Sequence, residues 1–119
     1  MIVALSDSLI IGFLRFVTQI IGTDDDHEPV IFNDSALVEA KVLAFGVVEP
    51  YRNQGIGWAL QEHTLRYAKQ LGCYQVRSYS SGRNTANHHL KLAMGFGVHP
   101  IVRGDDTGGV YFIMPLQQE

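Results

Sequence analysis

The period of the apolar positions changes along this chain, and each change marks an element. Residues 1–5 and 9–19 are apolar runs on either side of Ser6-Asp7-Ser8, which predicts two strands joined by a turn. In the second strand, alternation would set Ile10, Gly12, Leu14 and Phe16 on one face and Ile11, Phe13 and Arg15 on the other. Residues 22–29 (GTDDDHEP) read as a polar, acidic loop, residues 30–32 as a brief strand and Asn33-Asp34-Ser35 as a turn. Residues 37–48 read as a long strand ending at Glu49-Pro50. The period then lengthens to that of a helix. Ile56, Ala59, Leu60, Tyr67, Ala68 and Leu71 form an apolar stripe over residues 56–71, with Gln61, Glu62, Arg66, Lys69 and Gln70 on the wet face. Gly72 is the expected stop. Residues 73–80 alternate as a strand. Residues 84–94 form a second helix with Ala86, Leu90 and Ala93 inward, ended by Gly95. Residues 96–102 and 110–116 read as a closing hairpin around the loop at 104–109. Nothing repeats. The order ββ(β)β-α-β-α-ββ predicts a mixed sheet with helices, an α/β or α+β fold in one domain spanning residues 1–119.

Composition narrows the class. At 119 residues, 46% hydrophobic and 18% charged, the chain has the make-up of a globular domain with one core. Its net charge of −3 and lack of a Lys/Arg cluster argue against nucleic acid as a partner. No run reaches the ~20 apolar residues of a membrane span, so no membrane partner is expected. The start of the chain has no basic region, and Asp7 and Arg15 interrupt its apolar stretch, so no signal peptide is expected. The single Cys73 excludes an internal disulfide and fits a reducing, cytoplasmic setting. Cys73 opens an apolar strand and is expected to be buried and inert. No metal is expected. His88 and His89 are adjacent on a helix and point ~100° apart, and Asp24-Asp25-Asp26 lacks the glycine and glutamate of a calcium loop.

The densest chemistry is Tyr51-Arg52-Asn53-Gln54-Gly55-Ile56-Gly57-Trp58, an Arg-x-x-Gly-x-Gly turn between the long strand and the first helix. A glycine turn that opens a helix leaves backbone N–H groups free at the positive end of the helix dipole, a socket for a phosphate or pyrophosphate. Gly55 and Gly57 let the main chain come close to a ligand, and Arg52 adds a fixed charge. A P-loop would need Lys-Ser/Thr where Trp58-Ala59 stand, and a dinucleotide fingerprint would need a third glycine that does not follow.

The segment from Val47 to Leu60 resembles the coenzyme A signature of the acetyltransferase superfamily called GNAT. Asn84, Leu90 and Gly95-Phe96 are similar to that family's Asn…Leu-Tyr…Gly-Phe segment, and the element order is similar to the GNAT fold from its second strand to its end. The resemblance covers nearly the whole chain and implies a mostly antiparallel central sheet flanked by helices. Three departures stand out. The family's usual first strand and two helices, which wall the acceptor site, have no counterpart, so the resemblance is to a short form: a minimal member, a dimer that borrows a wall, or a chain without its natural N-terminus. Lys91 takes the place of a tyrosine that protonates the leaving thiolate in many members. Glu49 takes the usual proline place, with Pro50 after it.

The resemblance implies transfer of an acetyl (acyl) group from acetyl-CoA to a primary amine by direct attack. Phe45, Gly46 and Val47 would pair with the pantetheine arm through their backbones. Arg52 and the amides from Asn53 and Gln54 through Gly55, Ile56, Gly57 and Trp58 would hold the pyrophosphate, and Asn84 would contact pantetheine. Glu39 is the first candidate base, on the expectation that it shares a strand face with Lys41, Leu43, Phe45 and Val47; a water chain is the other. Lys91, if its pKa is lowered by burial, and Tyr79, at the end of the 73–80 strand, are the candidate acids. A non-catalytic coenzyme A-binding or interaction module is the alternative reading. The missing wall also predicts a homodimer.

Overall fold

A computed structural model describes residues 1–100 and 109–116. The first hairpin joins β1 (Ile2–Ser6) to β2 (Leu9–Ile20) through Asp7 and Ser8, both at positive φ, the turn geometry that matches the twist of paired strands. Asp24 and Asp25 fall in a single 3-10 turn (Thr23–Asp25), and β3 (Ile31–Phe32) and β4 (Ser35–Ala36) make a small separate hairpin. The long β5 (Val38–Val47) leads through a second 3-10 turn (Glu49–Tyr51) into α1 (Ile56–Gln70). Next come β6 (Gln75–Ser80), α2 (Thr85–Ala93), β7 (Gly97–Pro100) and β8 (Val110–Pro115). Among the described residues the main sheet has six strands in the order β1-β2-β5-β6-β8-β7 and is antiparallel except where β5 meets β6. The predicted order of elements holds except for β4, which takes Ser35 out of the expected turn and adds a short strand before β5. Cys73 and Tyr74 lie ahead of β6 rather than in it, and the predicted strand at 96–102 and loop at 104–109 fall partly outside the described residues.

Both helices pack on one face of the sheet. Ala40, Val76 and Phe112 from the strands, with Leu116 just past β8, meet Ala68 of α1, the buried Cys73 and Phe96. Burial pushes the Cys73 thiol pKa up, which leaves it protonated and inert.

Two irregularities in strand pairing reassign side chains between faces. Between β1 and β2 the register shifts past Ile11, so Ile11 is buried with Gly12 and Leu14 while Ile10 is exposed. Between β2 and β5, Arg15 pairs with Ala44 but Phe16 pairs with Val42, so Leu43 is an extra residue on β5. A one-residue insertion flips every later side chain to the other face. Phe45 and Val47 therefore lie on the helical face with Ala40 and Val42, opposite Leu14 and Gly12. Glu39 and Lys41 lie on the opposite face, across from Gln19 and Val17. This corrects the single face expected for Glu39, Lys41, Leu43, Phe45 and Val47. Strict alternation cannot foresee a bulge.

Candidate functional site

The site is built by a fork in the sheet. β5 and β6 pair only from Glu39↔Gln75 to Val42↔Ser78. Past that point β6 follows β8, through Tyr79↔Tyr111 and Ser80↔Val110, while residues 44–47 of β5 stay with β2. Among the described residues the β6-side edge of residues 43–47 is thus left without a partner strand, its backbone groups open to one. A cleft of about 480 Å³ occupies the fork. Its walls are Phe45, Gly46 and Val47 on one side and Asn84, Ala86, Asn87 and Leu90 on the other, with residues 51–53 and 55–58 at one end.

Electrostatics favour an anion at that end. Gly55 is the N-cap of α1 at φ 83°, with no side chain satisfying the first turn, and no acidic residue stands in that turn. α2 also begins at the cleft, and its first turn is likewise free of acids. Two positive helix ends therefore converge on one space. Gly57 is required for close packing, because a Cβ there would stand 3.2 Å from the Phe45 ring and 3.5 Å from Leu90. Arg52 Nε donates to the Val47 carbonyl at 2.9 Å, fastening the loop to the end of β5 while its guanidinium lines the cleft.

Of the residues expected to bind the coenzyme, Phe45, Gly46, Val47, Arg52, Asn53, Gly55, Ile56, Gly57, Trp58 and Asn84 all line this cleft. Gln54 does not line it; its side chain turns back to the Pro50 carbonyl at 3.3 Å. Sequence reasoning missed Tyr51, Ala86, Asn87 and Leu90. The helical spacing of Asn84, Asn87 and Leu90, three apart, was the available signal.

The three catalytic candidates are scattered. Glu39 is 1% exposed and accepts from Arg77 Nε and Nη2 at 3.0 Å each, from Gln19 at 2.8 Å and from Gln75 at 3.0 Å. Burial raises its pKa, but the bonds from Arg77, Gln19 and Gln75 outweigh it and hold the carboxyl below its ordinary value. Arg77 also pairs with Asp24 and stacks its guanidinium 4.6 Å from the centre of the Tyr111 ring, while Lys41 reaches Asp24 at 2.8 Å. Bonds from Lys41 and Arg77 hold Asp24 well below the usual carboxylate range. This network pins the acidic loop to the face without helices. Glu39, with each oxygen already accepting two hydrogen bonds, is committed to it and does not line the cleft.

Lys91 is fully buried between the helices. Its Nζ donates to Gln61 Oε1 at 2.9 Å and sits 4.4 Å from the centre of the Phe96 ring. Burial lowers its pKa to about 7, as an acid would need, yet Leu90 rather than Lys91 faces the cleft. Tyr79 lies at the mouth of the fork on the face away from the helices, edge-on to Tyr111 at 5.7 Å, and is not in the cleft wall.

The comparisons agree with this geometry. The model of the acetyltransferase (GNAT) family matches residues 1–96. No curated protein matches the chain. Among solved structures, Arabidopsis thaliana NAA60 in complex with acetyl-CoA is similar, with a TM-score of 0.71 at 22% identity over 89% of this chain and 66% of that one. PaiA N-acetyltransferase from Thermoplasma acidophilum in complex with coenzyme A gives 0.69 at 20% identity, over 95% and 58%. The ribosomal-protein-S18-alanine N-acetyltransferase from Escherichia coli gives 0.65 at 19% identity, over 97% and 67%. The chain thus spans about two thirds or less of the length of these relatives, and at such identities they share its fold. With a family model matched over residues 1–96, most of its length, the chain belongs to the acetyltransferase (GNAT) family.

Proposed function

We propose that this protein transfers an acetyl group from acetyl-CoA to a primary amine. The observation that carries the reading is the fork. An open strand edge and two helix N-termini bound one cleft, the arrangement an amide-rich arm ending in a pyrophosphate requires. The solved relatives in complex with acetyl-CoA or coenzyme A support the same donor. The amides at Gly55–Gly57, together with Arg52, hold the pyrophosphate, and the free edge of residues 43–47 aligns pantetheine so that the thioester reaches the fork. The acceptor amine approaches from the face without helices, gives up a proton to water and attacks the thioester carbon. A C–N bond forms, the C–S bond breaks and the thiolate leaves with a proton. Of the three candidate acids and bases, Tyr79 stands at the mouth of the fork, and we assign it that proton. Titration calorimetry with acetyl-CoA and dephospho-coenzyme A tests the reading. Micromolar acetyl-CoA binding supports it, and no binding at millimolar ligand refutes it.

The commitment of Glu39 and Lys91 to structural contacts favours a second reading, a coenzyme-binding module without transfer. It predicts binding with no acetylation across an amine panel. The protein is further proposed to act in the cytoplasm as a homodimer through the apolar β1–β2 region, where Leu5, Leu9 and Ile10 are exposed. Sedimentation as a monomer at high micromolar concentration would refute the dimer.

A further inference from the structure

Asn84 and Asn87 divide the hydrogen-bonding capacity of two amides in opposite ways. Asn84 is the N-cap of α2, and its Oδ1 accepts from the Asn87 backbone N–H at 3.2 Å. Its carbonyl is therefore engaged, and its NH₂ is what it can offer the cleft. Asn87 is reversed. Its Nδ2 donates to Ser80 Oγ at 3.0 Å, and Ser80 is 3% exposed at the end of β6. Its Oδ1 is buried at the cleft wall and accepts no hydrogen bond among the described residues. A buried acceptor left unpaired costs about 1–3 kcal/mol, so such a group marks a place where a donor belongs.

The donor's identity follows from position. At the α1 end of the cleft the features suit an acceptor-only group: the N–H groups of the first turn of α1, Arg52 and the positive end of that helix. A phosphate cannot satisfy Asn87 Oδ1, because it brings no N–H. Between that end and the fork, the ligand must change from an acceptor-only group to one carrying donors. A pantetheine amide does so, presenting a C=O and an N–H together. Asn84 and Asn87, three residues apart on one helical face, supply the matching donor and acceptor.

We propose that Asn87, oriented by Ser80, accepts a hydrogen bond from a pantetheine amide N–H and makes the cleft selective for the pantetheine arm over the nucleotide alone. The assignment rests on the coenzyme reading above. Ser80 is the positioning residue: its Oγ takes the Asn87 NH₂ and holds that side chain against the end of β6.

The test is calorimetric titration of wild type and of Asn87→Leu, Asn87→Asp and Ser80→Ala with acetyl-CoA and with 3′-phospho-ADP, which lacks pantetheine. Asn87→Leu is expected to weaken acetyl-CoA binding about 10- to 100-fold and leave 3′-phospho-ADP affinity unchanged. Asn87→Asp keeps an acceptor and is expected to hold acetyl-CoA affinity within about threefold, so it serves even if the leucine variant folds poorly. Ser80→Ala should fall between them, about 3- to 10-fold weaker, through loss of orientation. Unchanged acetyl-CoA affinity in Asn87→Leu, equal weakening of both ligands, or a loss in Asn87→Asp as large as in Asn87→Leu would each overturn the assignment while the coenzyme reading stands. Failure of wild type to bind either ligand would overturn both.

Discussion

Replacing Lys91 by methionine should change the stability of this protein by an amount that depends on pH. The Lys91 amine is wholly buried, meets Gln61 Oε1 and the Phe96 ring, and has its pKa lowered to about 7 by burial. In the unfolded chain a lysine titrates near about 10.4. Below pH 7 the amine is protonated in both states, and the native state bears the full penalty of enclosing a cation. As pH rises from 7 toward 10.4 the native state has released its proton while the unfolded state still holds one, so stability climbs at up to ~1.4 kcal/mol per pH unit. The penalty is on the order of 4 kcal/mol at pH 7 and under about 1 kcal/mol at pH 10. Methionine has a similar reach and no charge. Its substitution relieves that penalty but strands the Gln61 amide, which costs about 1–3 kcal/mol at any pH. Lys91→Met should therefore be more stable than wild type near neutrality and less stable at pH 10, a swing of about 3 kcal/mol. Urea unfolding of both proteins at pH 7, 8, 9 and 10 measures it. A difference between the two that stays constant from pH 7 to 10 would refute the reasoning, because Lys91 would then titrate alike in both states.

Glu39→Gln should cost about 3 kcal/mol, since it leaves the Arg77 guanidinium without its buried carboxylate. Both Asp24 and Glu39 have lowered pKa values, so their stabilisation is complete above about pH 5 and lost on acidification; an acid unfolding profile unaltered by Glu39→Gln would contradict this. Tyr79→Phe should reduce acetyl transfer about 100-fold with acetyl-CoA affinity unchanged, and undiminished kcat would remove Tyr79 from the mechanism. Gly57→Glu places a side chain against Phe45 and a negative charge at a helix N-terminus, so acetyl-CoA affinity should drop by more than about tenfold. Retained affinity would contradict the loop assignment.

The parts of this protein legible in its sequence are those governed by neighbours along the chain. Helical period marked α1, and Gly72 lies just past its end, at φ 84°. The Arg52–Trp58 turn announced a helix start built for an anion because capping and dipole are local properties. Apolar runs and turn residues marked most of the strands and their succession along the chain, since each strand is bounded by its own punctuation. Those local signals carried the family resemblance as well, and the matched family model spans the same residues.

What failed did so where a residue's role depends on distant partners. Glu39 was read as a base from alternation, but the extra residue at Leu43 turns it from the face that carries Phe45, and Arg77, 38 positions away, claims its carboxylate. Lys91 was a candidate acid by its place in a motif, yet a rotation of one helical position puts Leu90 on the cleft and Lys91 against Gln61. Asn87 was overlooked because an unpaired buried oxygen is visible only once Ser80 has taken the other half of its amide. By itself the sequence determined which elements form, their order and where an anion can dock, because these depend on backbone conformation over a few consecutive residues. The tertiary structure alone decided which face each strand residue occupies, how far β5 and β6 part and which polar groups remain for a ligand. Bulges, long-range ion pairs and shared hydrogen bonds arise only when segments far apart in the chain are brought into contact.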